Sequence, residues 1–168
     1  TPQRNEPIRA HTTLKPVRIW KDGERFLIDF GQNIAGHCKL KIKGERGDTV
    51  TLRHGEWLND DGTIYTQSLG YAKATDRFIL SGKEDIFEPT FTYHGFQYAE
   101  ATGIKGALTP EMIEAKAVAS HARQTGRFRC SDDRLNKLFS NILWTQRNNM
   151  FSVLTDNPSR DERTGAMG

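Results

Sequence analysis

Between Val17 and about Ala122, apolar and polar residues alternate with period two, and turn signals recur about every ten residues. That pattern predicts many short antiparallel strands, each with one face toward a core and one toward water. In Arg25–Phe30, Phe26, Ile28 and Phe30 share a face. In His37–Lys43, Cys38, Leu40 and Ile42 point inward while Lys39, Lys41 and Lys43 face solvent. Val50, Leu52 and His54 repeat the pattern, and Asp61-Gly62 supplies a hairpin-type turn before Ile64-Tyr65. Strands are expected again at Phe78–Leu80, Phe91–Tyr93 and Phe96–Tyr98, and a last one over Met112–His121. The fold class expected is mainly β, an antiparallel β-sandwich.

After Thr125-Gly126 the period changes. Leu135, Leu138, Phe139, Ile142, Leu143, Gln146 and Met150 fall at steps of three and four, which predicts one amphipathic helix from Asp132 to about Ser152. Ser131 is the expected N-cap, with Asp132 and Asp133 suited to the positive end of the helix dipole. Pro158 forbids simple continuation. A lone helix cannot bury its own apolar face, so it is expected either to lie on the sandwich or, more naturally, to begin a helical domain.

Composition narrows the function classes. The 168 residues are 36% hydrophobic and 27% charged, ordinary for a soluble globular protein. Twenty-four basic against twenty-one acidic side chains leave only +3, spread along the chain. No electrostatic footprint for nucleic acid or a membrane surface stands out, and no run approaches the ~20 apolar residues of a membrane span. The first residues carry no apolar signal core and no initiator Met, as expected of a piece of a longer protein. Cytoplasm, periplasm and secretion all stay open, as does the pairing of Cys38 with Cys130.

Most candidate motifs have a plain structural reading. Asp29-Phe30-Gly31 lacks the other kinase loops, and Gly31 to Gly36 has His37 where a phosphate loop needs Lys, so it reads as a strand-to-strand turn. His11, His37, His54, His94 and His121 show no spacing that would converge on zinc, so no metal and no cofactor are expected. The aromatics of Tyr93–Tyr98 are read as core and corner packing.

The segment Thr155–Gly165 is different. It crowds Asp156, Asp161, Glu162, Arg160 and Arg163 around Pro158. Its plain reading is a solvated helix start with internal ion pairs. Its functional reading is hydrolysis of a polar, uncharged substrate, in which one carboxylic acid protonates a leaving oxygen and a second carboxylate activates water.

This segment resembles the Asp-Cys-Pro-Gln-Arg-Asp-Glu-Arg-x-Gly-Trp signature of bacterial α-L-rhamnosidases, glycoside hydrolase family 78. Further blocks keep the same order: Asp29–Gly36, Thr51–Asn59, Asp61–Thr66, Ala74–Asp76, Glu88–Phe96 and Trp144–Asn149. The resemblance runs from about Pro7 onward. It implies an inverting exo-glycosidase that removes terminal α-L-rhamnose from glycosides or polysaccharides, with a sandwich preceding an (α/α)6 barrel. By position, Glu162 corresponds to the general acid and Asp156 to a carboxylate that binds sugar hydroxyls, with Arg160 and Asp161 on the same rim. The family's general base lies later in its barrel. Residues 1–16 are then an extended N-terminal segment, 17–125 the sandwich, and 126–168 the start of the barrel, whose remainder is the expected partner alongside the carbohydrate. Alone, these residues are not expected to turn over substrate. Asn157, Ser159 and Ala166 stand where the family generally has Cys, Gln and Trp. Arg160 and Arg163 would lower the pKa of Glu162 if they pointed toward it, whereas a general acid needs that value raised. The alternative is a non-catalytic sandwich, either an interdomain scaffold or a carbohydrate-binding module; aromatics placed for packing favour the scaffold.

Overall fold

The computed structural model of the protein describes residues 4–160. Its axis is one 19-residue strand, β3 (Arg25–Lys43), which serves two sheets in turn. Its first part pairs with β2 (Arg18–Asp22) on one side and β7 (His94–Thr102) on the other, and β4 (Thr49–Gly55) and β5 (Thr75–Ile79) follow beyond β7. Its second part pairs with β8 (Ile113–Ser120) and β6 (Glu84–Phe87), and β1 (Ile8–Leu14) lies outside β8. All of these pairings are antiparallel. The result is the expected β-sandwich followed by one helix.

Residues 31–36 are where the sequence reading needs correction. They do not turn between two strands; the chain stays extended and bulges, with the β3–β7 register slipping between Asp29 and Ile34. Gly31 takes φ 72°, open to glycine at little cost. Asp29 Oδ1 holds the bulge by accepting from the Gly31 amide at 2.7 Å and from Gln97 Nε2 at 3.0 Å. Five steps on β3, from Asp29 to Ile34, oppose only two on β7, from Tyr98 to Phe96, and the three extra residues bend the strand so that it passes from one layer to the other.

The core follows the alternation. Phe26, Ile28, Phe30, Cys38, Leu40 and Ile42 of β3 are buried with Val50, Leu52, Phe78, Phe96 and the alanines of β7 and β8. Phe30 and Phe96 meet edge to face at 5.8 Å, the arrangement their ring quadrupoles favour. Both cysteines are free, and burial pushes the Cys38 thiol well up, which leaves it inert.

Other expectations shift locally. Phe91–Tyr93 is not a strand: Phe91 sits at φ 59°, fully exposed, and extension resumes only at His94. Trp57 and Tyr71 are exposed as well, so not every aromatic is placed for packing. The Asp61-Gly62 turn forms, but its far arm is a single bridge, Leu58 to Ile64. The helix, α1 (Asp133–Asn148), is capped by Asp132 rather than Ser131, with the Asp132 carboxylate accepting from the Arg134 amide. It ends at Asn148, four residues earlier than the periodicity suggests (152 − 148). Beyond it, β9 (Met150–Phe151) and β10 (Val153–Leu154) turn back through Ser152 at φ 68°. The apolar character of Met150–Leu154 thus serves a tiny hairpin, whose Phe151 stacks on Tyr93 at 3.9 Å.

Truncating Phe96, which is wholly buried in this core, removes its ring contacts with Phe30 and His54. Phe96→Ala is expected to cost about 3–5 kcal/mol. Urea unfolding checks it, as a lowered midpoint with unchanged slope.

Candidate functional site

Asn148 decides where the loop after the helix begins. Its side chain turns into the sandwich, where Oδ1 accepts from the Ala35 amide at 3.0 Å and Nδ2 donates to the Asn33 carbonyl at 3.1 Å. Asn33 lies in the β3 bulge, where its carbonyl also accepts from Gln32 Nε2 at 2.9 Å, and Ala35 lies just past it, opposite Gly95 in the resumed ladder. The Thr155 amide then donates to the Asn149 carbonyl at 2.9 Å, which starts the loop Thr155–Arg160.

The loop has a buried side and an open side. Asn157 Oδ1 accepts from the Ser159 amide at 2.8 Å, an Asx turn, and is also 2.7 Å from the Ser159 hydroxyl. Ser159 is buried, and its Oγ reaches Glu56 Oε2 at 3.0 Å, while Glu56 Oε1 accepts from Asn33 Nδ2 at 2.8 Å. Gly95 of β7 runs directly beneath: a Cβ there would lie 2.8 Å from the Ser159 Cβ and 2.9 Å from its amide nitrogen. Only glycine allows that approach.

On the open side, Asp156 and Arg160 project into solvent, their charged ends 4.0 Å apart. Arg160 also rims a cleft of about 230 Å³ with Phe91, Thr92, Tyr93, His94 and Pro158. Of the four residues singled out from sequence, the fold therefore brings Asp156 and Arg160 together on one rim. Asp161 and Glu162 lie outside the described residues. Asn33, Glu56, Gly95 and Asn148 were missed; each is one polar residue or glycine in a separate segment, and no spacing rule joins them.

A second polar group was also missed. His54, Asp76 and His94 bring ligand-type atoms within 4.8 Å of one another, although their sequence spacing signals nothing. His94 Nε2 meets Asp76 Oδ1 at 3.0 Å. His54 is entirely buried and its Nδ1 lies 3.1 Å from the Ala74 carbonyl. The two imidazoles stack at 4.4 Å with 21° between planes. Stacked rings aim their in-plane lone pairs side by side rather than at one point, which suits packing better than a shared cation. Burial, then the adjacent His94 ring, depress the His54 pKa to about 3 against the pull of Asp76 and the Ala74 carbonyl. Burial pushes the Asp76 carboxyl up, but its hydrogen bond and charge interaction with His94 outweigh that and leave it below its ordinary value.

Residues 20–119 match the bacterial alpha-L-rhamnosidase concanavalin-like domain, and residues 123–168 match the bacterial alpha-L-rhamnosidase 6 hairpin glycosidase domain. The chain belongs to the bacterial alpha-L-rhamnosidase family. An alpha-L-rhamnosidase of Streptomyces avermitilis is 47% identical over 144 residues, covering 85% of this chain and 14% of its own. One from Formosa agariphila is 37% identical over 99% of this chain and 18% of its own. Among solved structures, the alpha-L-rhamnosidase from Dictyoglumus thermophilum superposes with a TM-score of 0.93 at 41% identity, over 96% of this chain and 19% of that one. The Streptomyces avermitilis enzyme, solved in complex with L-rhamnose, gives 0.93 at 43% identity, over 96% and 16%. The chain thus spans less than a fifth of the length of these relatives.

The buried histidine gives a pH test. An unfolded His titrates near 6.5, so between about 6.5 and 3 the unfolded chain binds more protons at His54 than the folded one. Stability should therefore fall as pH drops through that window, with no change from this ring above it. In His54→Asn, which keeps an N–H for the Ala74 carbonyl, the urea midpoint is expected to fall less steeply from pH 6.5 to 4 than in the wild type.

Proposed function

We propose that the chain is the sandwich domain, first barrel helix and first catalytic loop of an α-L-rhamnosidase that hydrolyses terminal α-L-rhamnosyl residues with inversion. The observation that carries this reading is the match of residues 123–168 to the glycosidase domain, together with 43% identity to an enzyme solved with L-rhamnose bound. The reading assigns Glu162 as the general acid that delivers a proton to the departing glycosidic oxygen. Asp156 binds sugar hydroxyls on the same rim, and Arg160 and Asp161 assist. A charged pair separated by 4.0 Å and open to solvent can rearrange toward a ligand at little cost.

Inversion needs a second carboxylate about 6.5–9.5 Å from the acid, across the scissile bond, with water between. Only five residues separate Asp156 from Glu162 in sequence, so both would approach the sugar from one side, and the base comes from further along the barrel. The exposed stripe Leu135, Leu138 and Ile142 on α1 supports such a continuation, because a barrel helix needs neighbours on that face.

Glu162→Gln in the complete protein is expected to lower turnover about 10²- to 10⁴-fold on rhamnosides with alkyl or sugar leaving groups. It should cost far less on a nitrophenyl rhamnoside, whose leaving group needs no proton. NMR of the first product formed by the wild type should show the β-anomer. Retention of configuration, or equal rates for Gln and Glu on natural glycosides, would remove the assignment.

A further inference from the structure

We infer that Glu56 is a positioning residue: acting through the Ser159 hydroxyl, it fixes the turn at 157–160 from which the chain runs on in sequence to Glu162. The inference rests on the reading of that loop as the catalytic one. Glu56 stands one residue beyond the end of β4, and its carboxylate joins three separate segments. One oxygen accepts from the side-chain Nδ2 of Asn33 in the β3 bulge at 2.8 Å, and the other faces the Ser159 hydroxyl at 3.0 Å.

In sequence, Ser159 stands three residues after Asp156 and three before Glu162. At most ~3.6 Å per residue, Glu162 lies no more than about 11 Å from it along the chain. The Ser159 backbone rests on Gly95, which fixes how closely the loop approaches. That contact is a stop, however, and does not choose a rotation. Direction comes from the hydroxyl, which has a single proton and two acceptors, Glu56 Oε2 at 3.0 Å and Asn157 Oδ1 at 2.7 Å. The Asn157 contact is the shorter but stays within the turn, so the Glu56 contact is the one that ties the turn to the sandwich. This Ser and Asn occupy the positions at which the chain departs from the Gln and Cys of the family signature, so the clamp is built from this chain's own residues. Misplacement of a catalytic group by about 1 Å costs on the order of 10²-fold in rate. The sandwich thereby reaches the chemistry without touching the sugar.

The test compares Ser159→Ala, Glu56→Ala, the double variant and Glu56→Gln in the complete protein, with two substrates: a nitrophenyl α-L-rhamnoside and a rhamnoside with an alkyl leaving group. Each single variant is expected to lose about 10- to 100-fold in kcat on the alkyl substrate, with less than about a threefold change on the nitrophenyl one. The double variant should be no worse than the poorer single, because the two residues form one link. Glu56→Gln, whose amide can still accept from Asn33 and meet the hydroxyl, should recover most of the loss. Equal losses on both substrates, or losses that multiply in the double variant, would overturn the inference, since generic destabilisation predicts either. Glu162→Gln is run alongside. If it lacks the leaving-group bias, the catalytic reading itself fails; if it has the bias and the Ser159 and Glu56 variants lack it, only the clamp fails.

Discussion

A strand that serves two sheets must leave its ladder somewhere, and the backbone groups released there have to be satisfied. In β3 that place is the bulge between Asp29 and Ile34, and Asn148, from the far end of the chain, donates to the Asn33 carbonyl within it and accepts from the Ala35 amide just past it. An unpaired buried amide costs on the order of 1–3 kcal/mol, so the bond to the Ala35 amide is the larger tie, the Asn33 carbonyl being met by Gln32 Nε2 as well. Because Asn148 is also the last residue of α1, one constraint sets the sandwich bend, the helix end and the start of the loop together.

Much of this was legible in the sequence, and the misses share a cause. The inward face of Cys38, Leu40 and Ile42 and that of Val50, Leu52 and His54 follow from local alternation, which no distant contact overrides. The end of α1 was placed too late because Met150 continues the helical period; nothing local tells that Asn148 will find a better partner in a bulge 115 residues earlier. The bulge in turn was read as a turn, since glycines at 31 and 36 look alike whether the chain reverses or only bends. Asp132 displaced Ser131 as the cap because its carboxylate also gathers Arg134. At the site, Asp156 and Arg160 were visible as a charge cluster. Glu56 was not, because a single carboxylate at a strand end carries no pattern.

The two sides of the loop are held by different physics. Its charges lie outward, and an exposed pair 4.0 Å apart contributes little to holding a conformation. Its fixity comes from beneath, from a buried hydroxyl, an Asx turn and a glycine that lets backbone meet backbone. This division fits the binding role proposed for the loop: its exposed charges can change partners while the backbone carrying them is held.

The helix is a case of stability imported from its surroundings. Sixteen residues with an open apolar stripe are marginal as an isolated helix in water. What anchors it is the other side, where Trp144 packs on the sandwich core and Asn148 enters the bulge. Both anchors lie in its last turn and a half, next to the loop, whereas Leu135 and Leu138 near its start remain open. The end that must be fixed for the loop to be placed is therefore the end the sandwich secures, and the sandwich can set the loop's position before any further helix packs against the stripe.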